Sequence, residues 1–395
     1  MTLMTQTLPD QQNSRIFILL FMSMLSAFGP FVTDFYLPAL PQLVNNFDTT
    51  TSLVQLTLTF SMLGLATGQM IIGPLSDKLG RRNPLIISLI LFVISTVACL
   101  YANDIHTFIV CRLIQGFAAA GGLVISRSIV TDLYAGNALA RTFSLMAAIN
   151  GIAPVGAPVL GGIMLEWTDW RGIFIILLAI GIILTLISFG QKETLLPENR
   201  FQGGILSTFT QLVPVLRNRQ FTFYLLIQTF AMGVLFSYIA ASPFIFQQHY
   251  EISPMLYSIC FGLNAFAIMI GSSLLTPRFS SATTALRVGA TVFFILGLCV
   301  AAALVADLSF AVVEGLLFVM MFFFGMVMPT STALALDLER KSAGNASALL
   351  GFTQFLFGGI VSPLTGMGNI LITTGIIIAL CCGAMYLFTR IATQK

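Results

Sequence analysis

Charge is what this sequence has least of. Only 8% of its 395 residues are Asp, Glu, Lys or Arg, where a soluble domain carries roughly 25%. A water-soluble chain of this length cannot cover its surface with so few charges. Histidine is scarcer still, with only 2 copies; both, His106 and His249, fall near the ends of apolar stretches. The 6 cysteines (Cys99, Cys111, Cys260, Cys299, Cys381 and Cys382) all lie inside apolar segments. None sits in a loop where a disulfide would act as a staple, so they read as small free core residues. No metal site and no cofactor is implied. The basic residues form no domain of their own, which excludes a phosphate-binding face and a nucleic-acid partner. No G-x-x-x-x-G-K-[ST] loop occurs, which argues against ATP as the energy source. The apolar segments hold no paired-acid site, nucleophile–base pair or histidine ligand set, so the chain does not read as an enzyme.

What the sequence has instead is apolar residues, 57% of the total, in runs of about 20 that recur from end to end, the signature of membrane spans. Lipid offers no partner for a bare backbone N–H or C=O, so spans are helices or a closed barrel. These runs are continuous rather than alternating, which selects helices. The first run begins after Arg15 and is too long for a signal-peptide core, so it counts as a retained span. Spans are expected near 16–40, 51–73, 84–102, 107–128, 142–164, 171–190, 221–246, 255–276, 288–306, 309–333, 346–368 and 370–390. Twelve spans put Lys78, Arg81, Arg82, Arg127, Arg141, Lys192, Arg200, Arg217, Arg219, Arg278, Arg287, Arg340 and Lys341 on one side with both termini, and only Arg171 on the other. The positive-inside rule then makes both termini cytoplasmic. The one long polar interruption, 191–220, divides the chain into a bundle over 1–190 and a second over 221–395. Two six-helix halves about a midplane site is an arrangement of transporters. The fold expected is therefore all-α, with twelve transmembrane helices in two pseudo-symmetric bundles.

Motifs sharpen this. The loop after the second span reads Gly73-Pro-Leu-Ser-Asp77-Lys-Leu-Gly80-Arg81-Arg82. Its glycines permit tight turns, Asp77 can cap a helix or pair with Arg81, and the basic residues hold the loop in the cytoplasm. This loop resembles the G-x-L-a-D-r-x-G-r-r signature of the major facilitator superfamily. The fifth span carries Gly151-Ile-Ala-Pro154-Val-Gly156-Ala157-Pro158-Val-Leu-Gly161-Gly162, similar to the antiporter motif of drug exporters, with Ala157 where many members have glycine. Thr33-Asp34-Phe-Tyr36-Leu-Pro in the first span and Arg112-Leu-Ile-Gln115-Gly116 in the fourth are further matches that narrow the resemblance, and Lys192-Glu193-Thr194-Leu195, Ser242-Pro243-Phe244 and Gly344-Asn345-Ala346-Ser347-Ala348 look like the bicyclomycin/chloramphenicol-resistance branch of the twelve-span drug:proton antiporters. Thr276-Pro277-Arg278-Phe279 is a degenerate second-half echo of the first-half loop. The resemblance implies alternating access in a bacterial inner membrane, with protons entering as small amphipathic drug-like molecules leave, and with lipid as the only other partner of a monomer. A proton-coupled importer or a facilitator of a metabolite is the alternative, and the antiporter-like run argues against it.

A charge at the bilayer centre costs roughly 2.5–3.5 kcal/mol on insertion scales, so each one demands a reason. Asp34, Arg112 and Glu314 are the candidates for proton coupling. Helical rise puts all three in the outer half, roughly 6–11 Å above the midplane. Spans one, four, seven and ten line the cavity in the resembled superfamily, so the three are expected around one chamber, with Arg112 alternately holding and releasing the Asp34 carboxylate. Arg112 reads equally as a hydrogen-bond hub serving carbonyls near broken helix backbone. Tyr36, Gln115, Gln228, Phe236, Tyr238, Asn264, Phe318 and Met321 are the expected substrate-binding residues, aromatic and methionine surfaces being adaptable. Gly73, Asp77, Gly80, Arg81, Arg82, Pro154, Pro158, Gly161 and Gly162 are expected to serve the conformational cycle, the last four by bending the fifth span and letting it pack closely.

Overall fold

The computed structural model describes residues 14–134, 142, 146, 156–200, 212–339 and 343–394. Among them the chain is helix joined by short connections, with no strand. The helices are α1 (Arg15–Asp34), α2 (Leu40–Asn46), α3 (Thr51–Leu79), α4 (Arg82–Leu100), α5 (Ile105–Leu133), α6 (Trp170–Phe189), α7 (Leu212–Arg217), α8 (Arg219–Phe244), α9 (Pro254–Ile270), α10 (Ala282–Val305), α11 (Phe310–Leu338), α12 (Ala343–Thr365) and α13 (Ile370–Thr393). Many begin where a short polar side chain accepts a free first-turn N–H: Thr50, Asp104, Ser253, Ser281 and Asn369. Such caps satisfy donors that lipid cannot. Among the described residues 10 helices are long and apolar enough to cross a membrane, or 11 if the bent pair Ile16–Gly29 and Phe31–Asn46 is one span. They coincide with the expected segments. The remaining one, 142–164, is described continuously only from 156, where it is helical through 164. Pro154 lies outside the described residues.

Two boundaries differ from the apolar pattern. The first span does not run straight to residue 40. The segment bends by about 40° between Ile16–Gly29 and Phe31–Asn46, and α1 ends at Asp34, where a tight turn over Leu37–Ala39 leads into α2. Pro38 and Pro41 supply no N–H to continue the ladder. α3, α5 and α11 each run to 29 residues, about 44 Å of helix against a hydrocarbon core near 30 Å. Hydropathy ends at the lipid boundary, but a helix continues until something stops it. For α3 the stop is Gly80, whose φ of 95° a side-chain-bearing residue avoids.

The two bundles repeat one packing device. A Cβ on Gly64 of α3 would overlap the Leu113 carbonyl of α5, and one on Gly116 of α5 would overlap the Ser61 carbonyl of α3. The second bundle does the same. A Cβ on Gly271, just past α9, would overlap the Phe322 carbonyl of α11, and one on Gly325 of α11 the Ile268 carbonyl of α9. Reciprocal glycines bring each helix pair to backbone contact, where dispersion drives association in lipid.

The halves meet along a seam between α3 and α12. Gly359 of α12 and Gly366, just past its end, receive Leu63 and Gln55 of α3. Gln55 Nε2 donates to the Ala240 carbonyl at 2.9 Å and to Thr365 Oγ1 at 3.0 Å, and Gln247 Nε2 donates to the Pro38 carbonyl at 3.1 Å. All these contacts lie at the end of the molecule away from the Gly73–Arg82 loop. Toward that loop the seam opens. Ala66 to Asp77 of α3 face Ala348 and Phe352 of α12 across a space of about 520 Å³.

Candidate functional site

A cavity of about 660 Å³ lies between the halves at mid-depth. It adjoins the open space at the loop end, because their linings are chain neighbours at Leu65/Ala66 and Leu123/Val124 and one turn apart at Phe355/Phe352. Its wall is mostly apolar. Five methionines (Met62, Met232, Met269, Met321 and Met328) and four phenylalanines (Phe236, Phe261, Phe324 and Phe355) contribute. Large rings and pliable thioethers accommodate ligands of varied shape. Asp34, Thr33, Tyr238, Asn264, Ser272 and Ser273 supply the polar atoms. The first, fourth, seventh and tenth expected spans all contribute, but α9 does as much as any of them. Phe261, Ala265, Ile268 and Ser272 form a stripe at helical spacing, and of this helix only Asn264 is among the expected site residues. The periodicity was there to be counted. What it could not show was which way the stripe faced.

Asp34 is 7% exposed and its carboxyl lines the cavity. The Thr33 hydroxyl donates to it at 3.1 Å, and among the described residues no basic side chain pairs with it. Arg112 does not face it, and the expected Asp34–Arg112 pair does not form in this conformation. The fully buried guanidinium of Arg112 lies 4.2 Å from the centre of the Tyr36 ring and 5.6 Å from that of Phe174. It donates to Gln115 Oε1 and, at 3.4 Å, to the Val32 carbonyl. Gln115 in turn donates to Thr96 Oγ1 at 2.7 Å. Arg112 therefore grips the end of α1 from behind, at Val32 and Tyr36, while Asp34 between them faces the cavity. The geometry fits the hub reading of Arg112.

Several expected substrate contacts are corrected by this packing. Tyr36 and Gln115 belong to the Arg112 network inside the first bundle, with Tyr36 Oη 3.1 Å from Thr57 Oγ1. Gln228 is fully buried within the second bundle, bonded to Thr332 and accepting from Gln354 at 2.6 Å. Phe318 packs against the core outside the cavity lining. Polarity at mid-span marked these residues, but in lipid a polar side chain satisfied by its own bundle looks the same in sequence as one facing a ligand. Phe236, Tyr238, Asn264 and Met321 do line the cavity. Glu314 is one bond behind the wall: Asn264 Nδ2 donates to its Oε1 and Oε2 at 3.1 and 3.3 Å and to Tyr238 Oη at 2.9 Å.

The loop after α3 is organised around two acids that the motif itself does not contain. Arg81 pairs with Asp77 and donates through Nε to Asp132 Oδ2 at 2.9 Å. Thr194 Oγ1 donates to the same oxygen at 3.0 Å. Glu193, at the start of the polar connection, accepts the backbone N–H groups of Arg81, Arg82, Thr194 and Leu195 at 2.8, 3.2, 3.0 and 3.0 Å. Partial burial opposes its ionisation, but these four donors win and hold its carboxyl below the usual range. Arg82 Nη2 reaches the Phe189 carbonyl at 2.9 Å. Gly73 lines the open space with Asp77. In the fifth span, Gly161 meets the Phe35 carbonyl and Gly162 meets Ser258 of the second bundle, while Pro158 is buried one turn before them. Among the described residues no group of three His, Cys, Asp or Glu gathers as for a metal.

Comparison with known proteins gives a consistent picture. The family model described as Major Facilitator Superfamily matches residues 16–363. The "Uncharacterized MFS-type transporter YdgK" of Bacillus subtilis is 37% identical over 92% of this chain and 94% of that protein. A "Bicyclomycin resistance protein homolog" of Haemophilus influenzae is 28% identical over 90% of each chain. A "Chloramphenicol resistance protein" of Pseudomonas aeruginosa is 26% identical over 86% of this chain and 80% of its own. Among solved structures, the inward-facing, unoccupied bacterial homologue of the human lysosomal transporter Spinster superposes with a TM-score of 0.76 at 16% identity, over 96% of this chain and 98% of that one. A D-xylose–proton symporter gives 0.72 at 15% identity, over 94% and 97%. At such identity the structural likeness speaks for the fold.

Proposed function

The chain belongs to the Major Facilitator Superfamily, and from that premise we propose that this membrane transporter is a proton-coupled exporter of small amphipathic molecules. The observation that carries the reading is Asp34, a buried carboxyl on the wall of a roomy apolar cavity, with a hydroxyl for a partner and, among the described residues, no cation. A carboxyl so placed costs least when it holds a proton or a cationic ligand, and the two compete for it. Glu314, linked to the cavity through Asn264, is a second acid available to the cycle. Arg112 fixes the end of α1 on which Asp34 is carried. The relatives named for bicyclomycin and chloramphenicol resistance favour outward movement of drug-like molecules over uptake.

The seam supports alternating access. It is closed at the Gln55–Gln247 end and open at the Gly73–Arg82 end. With the basic loops and both termini in the cytoplasm of a bacterial cell, this is an inward-facing state, ready to load substrate from inside. The halves are residues 1–190 and 221–395, with 191–220 as the connection, and the chain works as a monomer.

The test is transport in proteoliposomes under an imposed pH gradient. Wild-type protein is expected to move an amphipathic drug against its gradient as protons run down theirs. Asp34→Asn is expected to lose at least tenfold of this driven transport while still exchanging bound drug across the membrane. Driven transport at the wild-type rate in Asp34→Asn would remove Asp34 from the mechanism. Uptake in the direction of proton flow would make the protein an importer.

A further inference from the structure

At the end of the first bundle opposite the Gly73–Arg82 loop, two thiols meet. α4 ends at Leu100 and α5 begins at Ile105, so the two helices run antiparallel from a short connection. Their facing residues follow one register. A Cβ on Gly121 of α5 would overlap the Ser88 side chain of α4. Further along, Gln115 Nε2 donates to Thr96 Oγ1 at 2.7 Å. One more turn of each helix brings Cys111 opposite Cys99, and each thiol is the other's hydrogen-bond partner. The start of α5 is fixed, because Asp104 accepts the Thr107 N–H at 2.9 Å, and Cys111 lies one turn on from Thr107. Both cysteines are free and buried, Cys99 at 0% exposure and Cys111 at 9%. Neither lines the cavity.

We propose that Cys99 and Cys111 are a site of reversible oxidation, at which a hydroperoxide joins α4 to α5 by a disulfide. Opposed positions on helices in contact through small residues suit the short reach of such a bond, about 4.4–6.8 Å between Cα atoms. Cys111 is the more accessible thiol and reacts first. As the thiolate it attacks one peroxide oxygen, the O–O bond breaks, and Cys111 becomes a sulfenic acid. The other oxygen leaves as hydroxide and takes up the thiol proton as water. The Cys99 sulfur then attacks the sulfenic sulfur, the S–O bond breaks, and that oxygen leaves with the Cys99 proton as a second water. Two electrons pass from the sulfurs to the peroxide. The bond fastens the turn that carries Arg112, and with it the grip on Val32 and Tyr36 of the first span, to α4. On the topology proposed above, this end faces away from the cytoplasm and its reducing thiol pool. The inference requires no particular substrate and no proton coupling.

The experiment counts thiols in the purified full-length protein. The protein is reduced, freed of reductant in detergent, and held with or without hydrogen peroxide. After catalase has removed the peroxide, the chain is unfolded in dodecyl sulfate and labelled with maleimide-polyethylene glycol, each label adding a step on a gel. Untreated protein is expected to take one label for each of its 6 cysteines. Peroxide-treated protein should take two fewer, and dithiothreitol after the peroxide should restore both, which a sulfinic or sulfonic acid would not allow. In Cys99→Ser the oxidation should stop at the Cys111 sulfenic acid, which dimedone captures. In Cys111→Ser, where only the enclosed thiol remains, neither label loss nor a dimedone adduct at Cys99 is expected. Wild-type protein that keeps every label, or loses one alone, overturns the site, as does a loss of two that persists in either variant. A dimedone adduct on Cys99 in Cys111→Ser, with none on Cys111 in Cys99→Ser, overturns the order of attack. A second measurement needs no variant. Oxidised wild-type protein should unfold roughly 2–5 °C above its reduced form, and equal unfolding temperatures would show that the bond fastens nothing.

Discussion

A single carboxylate, Glu193, ties the Gly73–Arg82 loop to the chain that leaves the first bundle. Four backbone N–H groups converge on it, two from the loop and two from its own segment, and the carboxyl seats directly over Gly80, where a Cβ would overlap it. Because ionisation is favoured in the folded protein, the stabilisation is complete above the ordinary value of 4.5 and is lost as pH falls through the lower folded value. Hydrogen exchange at Arg81, Arg82, Thr194 and Leu195, corrected for intrinsic rates, should therefore lose protection only below about pH 4.5 in wild type. In Glu193→Ala the same amides should be unprotected and indifferent to pH. Gly80→Ala should behave like Glu193→Ala, for it both displaces the carboxylate and forces a side chain onto a φ of 95°. Protection that is unchanged in Glu193→Ala would mean the loop holds itself.

Among helices, close approach decides. Gly116 and Gly325 each rest on a carbonyl oxygen of the neighbouring helix, and a carbonyl in a helix ladder cannot move aside. Gly116→Ala and Gly325→Ala are each expected to cost about 1–3 kcal/mol by overpacking, read as a fall in thermal unfolding temperature. Gly315 and Gly351 have nothing within 4 Å of a new Cβ, so alanine there should be neutral or slightly stabilising through helix propensity. A uniform response of all four positions would show that propensity rather than packing governs. The two glycines of the fifth span should likewise separate. Gly161 meets the Phe35 carbonyl beside Asp34, whereas Gly162 meets the Ser258 side chain, which can rotate. Gly161→Ala is expected to reduce transport more than Gly162→Ala at equal protein level.

For the whole molecule, the closed end is held by few polar contacts, and that makes its equilibrium easy to shift. Gln55 Nε2 spans the halves with two bonds, to Ala240 and Thr365. At about 1 kcal/mol each, losing both in Gln55→Leu moves the balance of states by roughly 30-fold. Thr59, 4% exposed on the same face of α3, can report this as an introduced cysteine. Its maleimide labelling rate should rise at least fivefold in the Gln55→Leu background, and an unchanged rate would show that these bonds do not hold the gate. On the proposed alternating-access cycle, opening there should be matched by closure at the opposite end, where Asp77 and Phe352 now line open space.

The linear sequence determined a good deal. Apolar runs of helical length gave the spans, because lipid leaves a backbone no alternative to helix. The loop Gly73–Arg82 gave the family, and the scarcity of buried charge singled out Asp34. What only the tertiary structure decided was direction. Whether a polar residue within a span turns toward a ligand or toward its own bundle depends on how helices rotate against one another. Hydropathy carries little of that, since lipid, core and cavity walls are all lined with the same apolar residues. So Gln115, Gln228 and Tyr36 proved to serve internal networks, Arg112 to hold α1 rather than face Asp34, and the α9 stripe to be wall. Glu193 could be read as a motif residue, but its hold on four amides could not, because the loop it binds lies more than a hundred residues away along the chain. Residue identity fixes what a side chain can bond. Packing fixes what it meets.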